Sequence, residues 1–319
     1  MPGKILVIRG GAIGDFILTL PVLAALRQQF PQARIEVLGY SHIAQLARFG
    51  GLADDVRSID ARPMAGFFAR NGVLDETLQE YFSSFAIIIS YLFDPDKIFQ
   101  TNVARCSGAQ FIAGPHRPDE RAGLHATSVF LGPLQRLAIF DADPVPRLKL
   151  RVASGSSTAP DSDIQRRDAC PTLAIHPGSG SDRKNWPEAK WAELLSALSR
   201  VSALKILLVG GEAEGDRLTR LAQVLPPPRL HVLRNLPLPQ LAENLSNCAA
   251  FLGHDSGITH LAAAVGLPLY VLWGDSAEAI WRPQAERLTI LRHPSGLKEL
   301  PVKQVLDCLA FTFASEKTG

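Results

Sequence analysis

Three short segments of the sequence combine glycines with side chains that can bind phosphate or move a proton. They are RGGAIGD from Arg9 to Asp15, HPGSGSDRKNWP beginning at His176, and GHDSGITH from Gly253 to His260. Each follows a short apolar run and precedes a helical pattern, so each is predicted to bring backbone N–H groups to a helix N-terminus. The helix dipole favours an anion there. The sequence therefore predicts a ligand that carries phosphate.

The first segment is predicted to form a phosphate or acceptor turn through Gly11 and Gly14, with Asp15 at the helix start. An Asp in this place can cap the helix, which stabilises it by about 1 kcal/mol. It can also stay ionised beside the helix dipole and act as a general base. The two roles are compatible. A dinucleotide fingerprint is not met, because Arg9 replaces its first glycine and Gly39 stands where an acid should end the second strand.

The second segment has the composition of a phosphate cradle. Gly178 and Gly180 allow close approach of a ligand to the backbone, Ser179 and Ser181 offer hydroxyls, and Lys184 supplies a positive charge. It is not a Walker A loop, because no Gly-Lys-Ser/Thr follows at the required spacing. The alternative is a plain linker turn.

The third segment precedes an alanine-rich helical pattern. Ser256 or Asp255 can cap this helix, which leaves the N–H groups from Gly257 to Thr259 for a second phosphate contact. His260 follows Ser256 by four residues and so lies on the same helical face. It is either a phosphate ligand or a structural histidine.

Two acidic residues, Glu212 and Glu214, follow a predicted strand. An acid at the carboxyl end of a strand can bind a ribose diol, and simple surface exposure is the alternative. No metal is expected, since His254 and His260 lack further ligands at zinc spacing and no D-x-D motif stands at the end of a predicted strand.

Short apolar strands alternate with helical patterns along the whole chain, which predicts α/β domains with doubly wound parallel sheets. A run of Ser, Pro and charged residues interrupts this alternation. The predicted organisation is an N-terminal domain over 1–152, a linker over 153–168, a C-terminal domain over 169–300, and a helix and tail over 301–319. One helix is expected from Asp15 to Gln28, and a loop or short helices over Ala61–Tyr81. Ligands of such sheets bind at the carboxyl ends of strands, so a cleft between the domains is the expected site.

Composition excludes several classes of protein. The chain has 319 residues, a formal net charge of +2 and 46% hydrophobic residues, so neither disorder nor nucleic-acid binding is indicated. No apolar run reaches the roughly 20 residues of a membrane span, and the opening residues are predicted to form a strand rather than a signal peptide. The four cysteines show no CxxC spacing and are expected to be buried thiols in a reducing compartment. A soluble cytoplasmic protein is expected.

Taken in order, G-x-x-G-D, H-P-G-S-G…K-x-W-P, G-G-x-x-E and D-S-G-x-T-H resemble the motifs of glycosyltransferase family 9, the ADP-heptose:lipopolysaccharide heptosyltransferases. The resemblance covers nearly the whole chain. It implies a GT-B fold, in which two Rossmann-like domains face each other across a cleft, with the acceptor on the N-terminal domain and the nucleotide sugar on the C-terminal domain. The implied reaction is an inverting sugar transfer without a metal or cofactor. The implied donor is ADP-heptose, and the acceptor is a saccharide or lipid-linked molecule such as the lipopolysaccharide inner core.

The resemblance also implies a role for each motif residue. Asp15 would be the catalytic base. The implied donor-binding residues are Ser179, Gly180, Ser181, Lys184, Gly257 and His260 at the pyrophosphate, Glu212 or Glu214 at the ribose, and Asp255 and Ser256 lining the pocket. Donors fixed around the β-phosphate would stabilise the charge that develops there. Because the turn after His176 is one residue longer than in some relatives, the serine roles can shift by one position.

The acceptor side departs from the family pattern, since Ser90 replaces an acid at the end of a predicted strand. Arginines are suited to binding carboxylates and phosphates on an acceptor. The candidates, each equally explained as a solvated side chain, are Arg62, Arg70, Arg117 and Arg121. Phe67 and Phe68 are either core residues or a peripheral contact with the inner membrane leaflet.

Other functions remain open on the sequence. The first is another GT-B enzyme, either a transferase with a different nucleotide-sugar donor or a sugar-nucleotide epimerase. The second is a non-catalytic nucleotide-binding relative, and the third is an NAD-dependent oxidoreductase.

Overall fold

The structure is a computed structural model that describes residues 3–150 and 171–315, without the side chains of Asp182 and residues 310–315. The chain forms two compact units. One is Met1–Arg151 with Glu278–Arg282, and the other is Val152–Ala277 with Pro283–Gly319. The predicted linker over 153–168 lies outside the described residues. Nothing in the sequence pattern indicated that Glu278–Arg282 joins the first unit.

The first unit is built on a five-stranded parallel sheet with the strand order β3-β2-β1-β4-β5. Its strands are β1 (Lys4–Arg9), β2 (Arg34–Gly39), β3 (Asp55–Ser58), β4 (Ile87–Ser90) and β5 (Gln110–Ala113). Its helices are α1 (Ile13–Ile17), α2 (Leu20–Gln29), α3 (Ser41–Phe49), α4 (Ala65–Phe68), α5 (Glu76–Ser83), α6 (Ile98–Ala104) and α7 (Ala126–Leu131). The central strand β1 is buried from Ile5 to Arg9, as expected for a strand covered on both faces.

The single helix expected from Asp15 to Gln28 is in fact two helices, α1 and α2, which are interrupted at Leu18 and Thr19. Pro21 explains the interruption, because its ring would clash with the carbonyl four residues earlier and it has no N–H to donate. The region Ala61–Tyr81 contains short helices, in agreement with one of the two expectations.

Phe67 and Phe68 have different environments. Phe67 is fully buried and its ring centroid lies 4.7 Å from that of Phe82, whereas Phe68 is 44% exposed. The expected membrane contact is therefore wrong for Phe67, which is a core residue. None of the helices within the described ranges is long and apolar enough to span a membrane.

The second unit is built on a six-stranded parallel sheet with the strand order β11-β10-β9-β6-β7-β8. Its strands are β6 (Thr172–His176), β7 (Lys205–Gly210), β8 (Leu230–Arg234), β9 (Ala250–His254), β10 (Leu269–Leu272) and β11 (Leu288–Leu291). The helices of this part of the chain are α8 (Glu188–Val201), α9 (Arg217–Ala222), α10 (Leu238–Ser246), α11 (Gly257–Ala264), α12 (Glu278–Trp281) and α13 (Val302–Ser315), of which α12 belongs to the first unit.

The register of this sheet brings two of the sequence motifs together. β6 pairs with β9 so that His176 lies opposite Gly253, and the segments that follow both strands leave the same edge of the sheet. The core beside them contains Trp186 and Trp191, both buried, with ring centroids 5.2 Å apart in an edge-to-face arrangement. This contact anchors the end of the second motif to the core.

The cysteines differ from the expectation of buried thiols. Cys106, Cys248 and Cys308 are thiols that are not joined in disulfides and are half-buried, and Cys170 lies outside the described residues. Burial nevertheless raises the pKa of Cys248 to about 11, so its thiol stays protonated at neutral pH.

Candidate functional site

The turn between β1 and α1 fixes the side chain of Asp15. Ala12 is the N-cap residue of α1 and Asp15 is its third helical residue, so Asp15 is not the N-cap. Instead its Oδ2 accepts a hydrogen bond from the Ala12 N–H at 3.2 Å. Gly11 has φ +100°, and a Cβ added there would lie 3.0 Å from Oδ2. Gly14 is the second residue of α1, and its carbonyl accepts from the Leu18 N–H.

A buried arginine lies beside this carboxylate. Arg9 is 3% exposed and donates to the carbonyls of His116 at 2.9 Å and of Asp15 at 3.3 Å. Its guanidinium lies 4.4 Å from the Phe130 ring centroid and 3.7 Å from Asp15 Oδ1. Burial lowers the pKa of Arg9, and the Asp15 charge opposes this effect. The Asp15 side chain is itself 28% exposed, so a hydroxyl from solvent or a ligand can reach it.

In the second unit, the loop that follows β6 is closed by its own polar groups. Ser179 Oγ lies 2.7 Å from Asn185 Oδ1 and 2.9 Å from the Ser181 carbonyl, which also accepts from the Lys184 N–H at 3.0 Å. Gly180, at φ +72°, and Ser181 are exposed at the tip of the loop. The Ser179 hydroxyl therefore shapes the loop in this state, and Ser181 is the serine exposed to solvent.

Lys184 and Asp255 form an ion pair that joins this loop to the segment after β9. Lys184 Nζ lies 2.9 Å from Asp255 Oδ2, and the two side chains are 44% and 10% exposed. Of the two possible helix caps, Ser256 is the one used: its Oγ accepts from the Thr259 N–H. Gly257 is the first residue of α11, whose leading N–H groups have no partner within the helix.

The remaining predicted donor residues lie on the same unit. Glu214 is 7% exposed, and its Oε2 accepts from the Gly211 N–H at 2.6 Å. Its carboxylate occupies the space above Gly178, where a Cβ would approach Oε1 to 1.8 Å. Glu212 is exposed, and His260 is 5% exposed on α11. Glu214 is therefore the acid that lies against the loop after β6.

The four arginine candidates for an acceptor are all exposed. Arg70 pairs with Asp96 at 3.6 Å, and Arg117 with Glu120 at 3.7 Å. Within residues 3–150 and 171–315, no three His, Cys, Asp or Glu side chains lie close enough to hold a metal ion.

Sequence reasoning missed two residues of these sites. Arg9 was considered only as a departure from the dinucleotide fingerprint, and His254 only as an isolated metal ligand. In the structure His254 Nε2 accepts from the Trp186 N–H at 2.8 Å, and Nδ1 lies 3.2 Å from the Gly178 carbonyl. A polar residue at the carboxyl end of each strand was the available signal.

Solved structures of other proteins share this fold. The ADP-heptose LPS heptosyltransferase II of Escherichia coli aligns with a TM-score of 0.76 at 18% identity, covering 99% of this chain and 100% of that one. The E. coli heptosyltransferase WaaC, solved with ADP, aligns with a TM-score of 0.70 at 19% identity, covering 96% and 98%. The expected GT-B fold is confirmed.

The family follows from the sequence comparisons. A family model described as glycosyltransferase family 9 (heptosyltransferase) matches residues 135–309. Lipopolysaccharide heptosyltransferase 3 of E. coli is 22% identical over 315 residues, 92% of this chain and 90% of that protein. The chain belongs to glycosyltransferase family 9, and it is a glycosyltransferase of the heptosyltransferase type.

Proposed function

We propose that the protein transfers a heptose from ADP-heptose to a saccharide or lipid-linked acceptor such as the lipopolysaccharide inner core. The observation that carries this proposal is the meeting of Lys184 with the N-terminus of α11 at the carboxyl ends of β6 and β9. A cation and a helix N-terminus together suit a diphosphate. The identity of the proposed sugar comes from the names of the relatives, since E. coli WaaC was also solved with an ADP-heptose analogue.

The transfer is an inverting displacement. The acceptor hydroxyl gives its proton to the Asp15 carboxylate as its oxygen forms a bond to the anomeric carbon of the donor. The bond from that carbon to the β-phosphate oxygen breaks, and its electron pair leaves with ADP. Lys184 and the N–H groups at Gly257 and the following residue stabilise the charge that develops on the β-phosphate. These groups do the work that a divalent cation does in other transferases, so no metal is required.

The other site residues hold the donor. Gly180 and Ser181 at the tip of the loop bind the pyrophosphate, while Ser179 shapes the loop and is available as a further ligand. His260 lies one turn into α11 and supports the same group. Glu214, with Glu212 as the alternative, binds the ribose diol. Asp255 and Ser256 line the sugar pocket.

The acceptor binds to the first unit, where Asp15 is held. Arg62, Arg70, Arg117 and Arg121 supply positive charge for an anionic acceptor. We place the enzyme in the cytoplasm, with the exposed Phe68 as a peripheral contact to the inner membrane leaflet. A lipid-linked acceptor would require such a contact.

The experiment is a calorimetric titration of the purified protein with ADP, UDP, GDP, CMP and NAD, each with Mg²⁺ and with a chelator. We expect ADP to bind with the same affinity in both buffers, and ADP-heptose to be consumed with inversion when acceptor is added. Preference for UDP or GDP would show that the donor is a different nucleotide sugar and would leave the proposed mechanism unchanged. Binding of NAD alone, or of no nucleotide, would refute the proposal. Binding without any turnover would favour a non-catalytic relative.

A further inference from the structure

His254 is the last residue of β9, is fully buried, and lies directly before Asp255. Both of its ring nitrogens face the backbone of the loop after β6. Nε2 accepts from the Trp186 N–H at 2.8 Å, and Nδ1 lies 3.2 Å from the carbonyl oxygen of Gly178. One imidazole thus contacts the beginning and the end of a single loop.

These two contacts define the state of the ring. An Nε2 that accepts from an amide must be unprotonated, and an Nδ1 that contacts a carbonyl must carry the hydrogen. His254 is therefore a neutral imidazole with its hydrogen on Nδ1. Burial agrees with this state, since it lowers the pKa of His254 to about 3. The Trp191 ring packs edge-on against the imidazole, with centroids 5.5 Å apart, and fixes its orientation.

The loop between the two contacts holds the groups assigned to the diphosphate. Ser181 and Lys184 lie between Gly178 and Trp186 along the chain, and Asp255, the residue that follows β9, contacts the loop at a further point through Lys184. Without His254, the Trp186 N–H and the Gly178 carbonyl would be buried polar groups in need of new partners. Each such group costs about 1–3 kcal/mol when it has no hydrogen-bond partner, so the loop would shift until both groups have new partners.

We propose that His254 is a positioning residue for donor binding: its neutral imidazole holds the Gly178–Trp186 loop in the shape that presents Lys184 and Ser181 to the diphosphate. The inference rests on the proposed function, because it takes the diphosphate to be the ligand of this loop. His254 itself does not touch the donor. It acts through the backbone at Gly178 and Trp186.

Three substitutions separate the two hydrogen bonds. In His254→Asn the side-chain amide can still donate to Gly178, in His254→Gln the side-chain carbonyl can still accept from Trp186, and in His254→Phe neither bond is possible. The matched control is His231→Gln, at an exposed position on β8. Each protein is titrated with ADP, and KM for the donor, KM for the acceptor and kcat are measured at a temperature where it is fully folded.

We expect His254→Phe to weaken ADP binding by about tenfold or more, the scale of one or two hydrogen bonds, with a matching rise in donor KM. Acceptor KM stays unchanged, and the Asn and Gln variants fall between wild type and Phe. A role in stability alone would lower the melting temperature and leave the Kd of the folded protein unchanged. A folded His254→Phe with wild-type ADP affinity overturns the inference, whereas a wild-type protein that binds no ADP refutes the proposed function itself.

A second measurement does not depend on variants that fold. The ¹⁵N resonances of His254 in the wild-type protein report which ring nitrogen carries the hydrogen. We expect a protonated Nδ1 and an unprotonated Nε2 at neutral pH. The opposite tautomer, or a charged ring, would contradict the two contacts and overturn the inference.

Discussion

The ion pair between Lys184 and Asp255 predicts that two substitutions at one contact will change ADP binding in opposite directions. Lys184→Met removes the cation that we propose binds the diphosphate. Asp255→Asn removes a negative charge that lies 2.9 Å from that cation and competes with the phosphates for it. We therefore expect Lys184→Met to weaken ADP binding and Asp255→Asn to strengthen it.

The magnitudes follow from the distance and the exposure of the pair. Two unit charges 4 Å apart interact by about 1 kcal/mol in water and about 4 kcal/mol in a partly buried setting. Because Lys184 is 44% exposed, solvent screens the pair, and about 1 kcal/mol is the realistic scale. Asp255→Asn should therefore lower the Kd for ADP by about fivefold. Loss of a charge-assisted hydrogen bond in Lys184→Met costs about 1.5–3 kcal/mol, or about ten- to a hundredfold in Kd.

The assay is calorimetric titration with ADP of the wild type, both single variants and the double variant. The control is Lys205→Met, which removes an exposed lysine at the opposite end of a strand in the same unit. The double variant should bind like Lys184→Met, since Asp255 has no cation to compete for once Lys184 is gone. Raising the salt concentration should weaken wild-type binding more than that of Lys184→Met.

Either of two results would refute this reasoning. If Asp255→Asn, folded with an unchanged unfolding transition, weakened ADP binding as much as Lys184→Met, Asp255 would not compete for Lys184. It would instead hold the lysine in place. Equal affinity in wild type and Lys184→Met would show that the loop after β6 does not bind the diphosphate.

Three further predictions concern the base, its turn and pH. Asp15→Asn should abolish sugar transfer in an activity assay and leave the Kd for ADP within a few-fold, because the carboxylate acts on the acceptor in the proposed mechanism; a large loss of ADP affinity would contradict this role. Gly11→Ala should lower kcat and the melting temperature together, since the new Cβ would lie 3.0 Å from Asp15 Oδ2 at φ +100°; an unchanged kcat would show that this contact does not position the base. Burial lowers the pKa of His254 from 6.5 to about 3 in the folded protein. Because the unfolded chain therefore binds a proton more readily, the contribution of neutral His254 to the stability of the folded protein is present above pH 6.5 and is lost as the pH falls towards 3. Between pH 7 and 5 this amounts to about 2 kcal/mol of unfolding free energy. Urea titration should show that His254→Gln reduces the slope by this amount, and the buried His176, whose pKa burial also lowers, contributes to the slope that remains.

The order of strands and helices could be predicted because a parallel sheet covered on both faces requires apolar runs. β1 and β6 are such runs, and each precedes a glycine turn. β3 was missed, since its sequence DVRS at the sheet edge is too polar to stand out. The break between α1 and α2 was missed although Pro21 marks it, because the apolar periodicity continues across the interruption.

The types of residue in the candidate site could be predicted, but their pairing could not. Lys184 and Asp255 stand 71 positions apart along the chain. They meet because β6 pairs with β9, and helical or strand periodicity does not reveal which strands are neighbours. His254 was overlooked for a similar reason, since its two partners are backbone groups that no side-chain motif records. Phe67 and Phe68 are adjacent in sequence, and only the packing around Phe82 determines which of them is buried.

The segment Glu278–Arg282 belongs to the first unit, although it follows most of the second unit along the chain. His125 Nε2 lies 2.8 Å from the Arg282 carbonyl, and Trp281 Nε1 lies 3.3 Å from Glu120 Oε1. If the gene were divided after Arg151 and the halves were expressed as separate polypeptides, the C-terminal half would contain the segment Glu278–Arg282, which binds to the N-terminal half. We expect the two halves to co-purify. We also expect the N-terminal half, when it is produced alone, to be less stable than in the whole protein because it lacks α12. A protein designed to contain the first unit alone must therefore include α12.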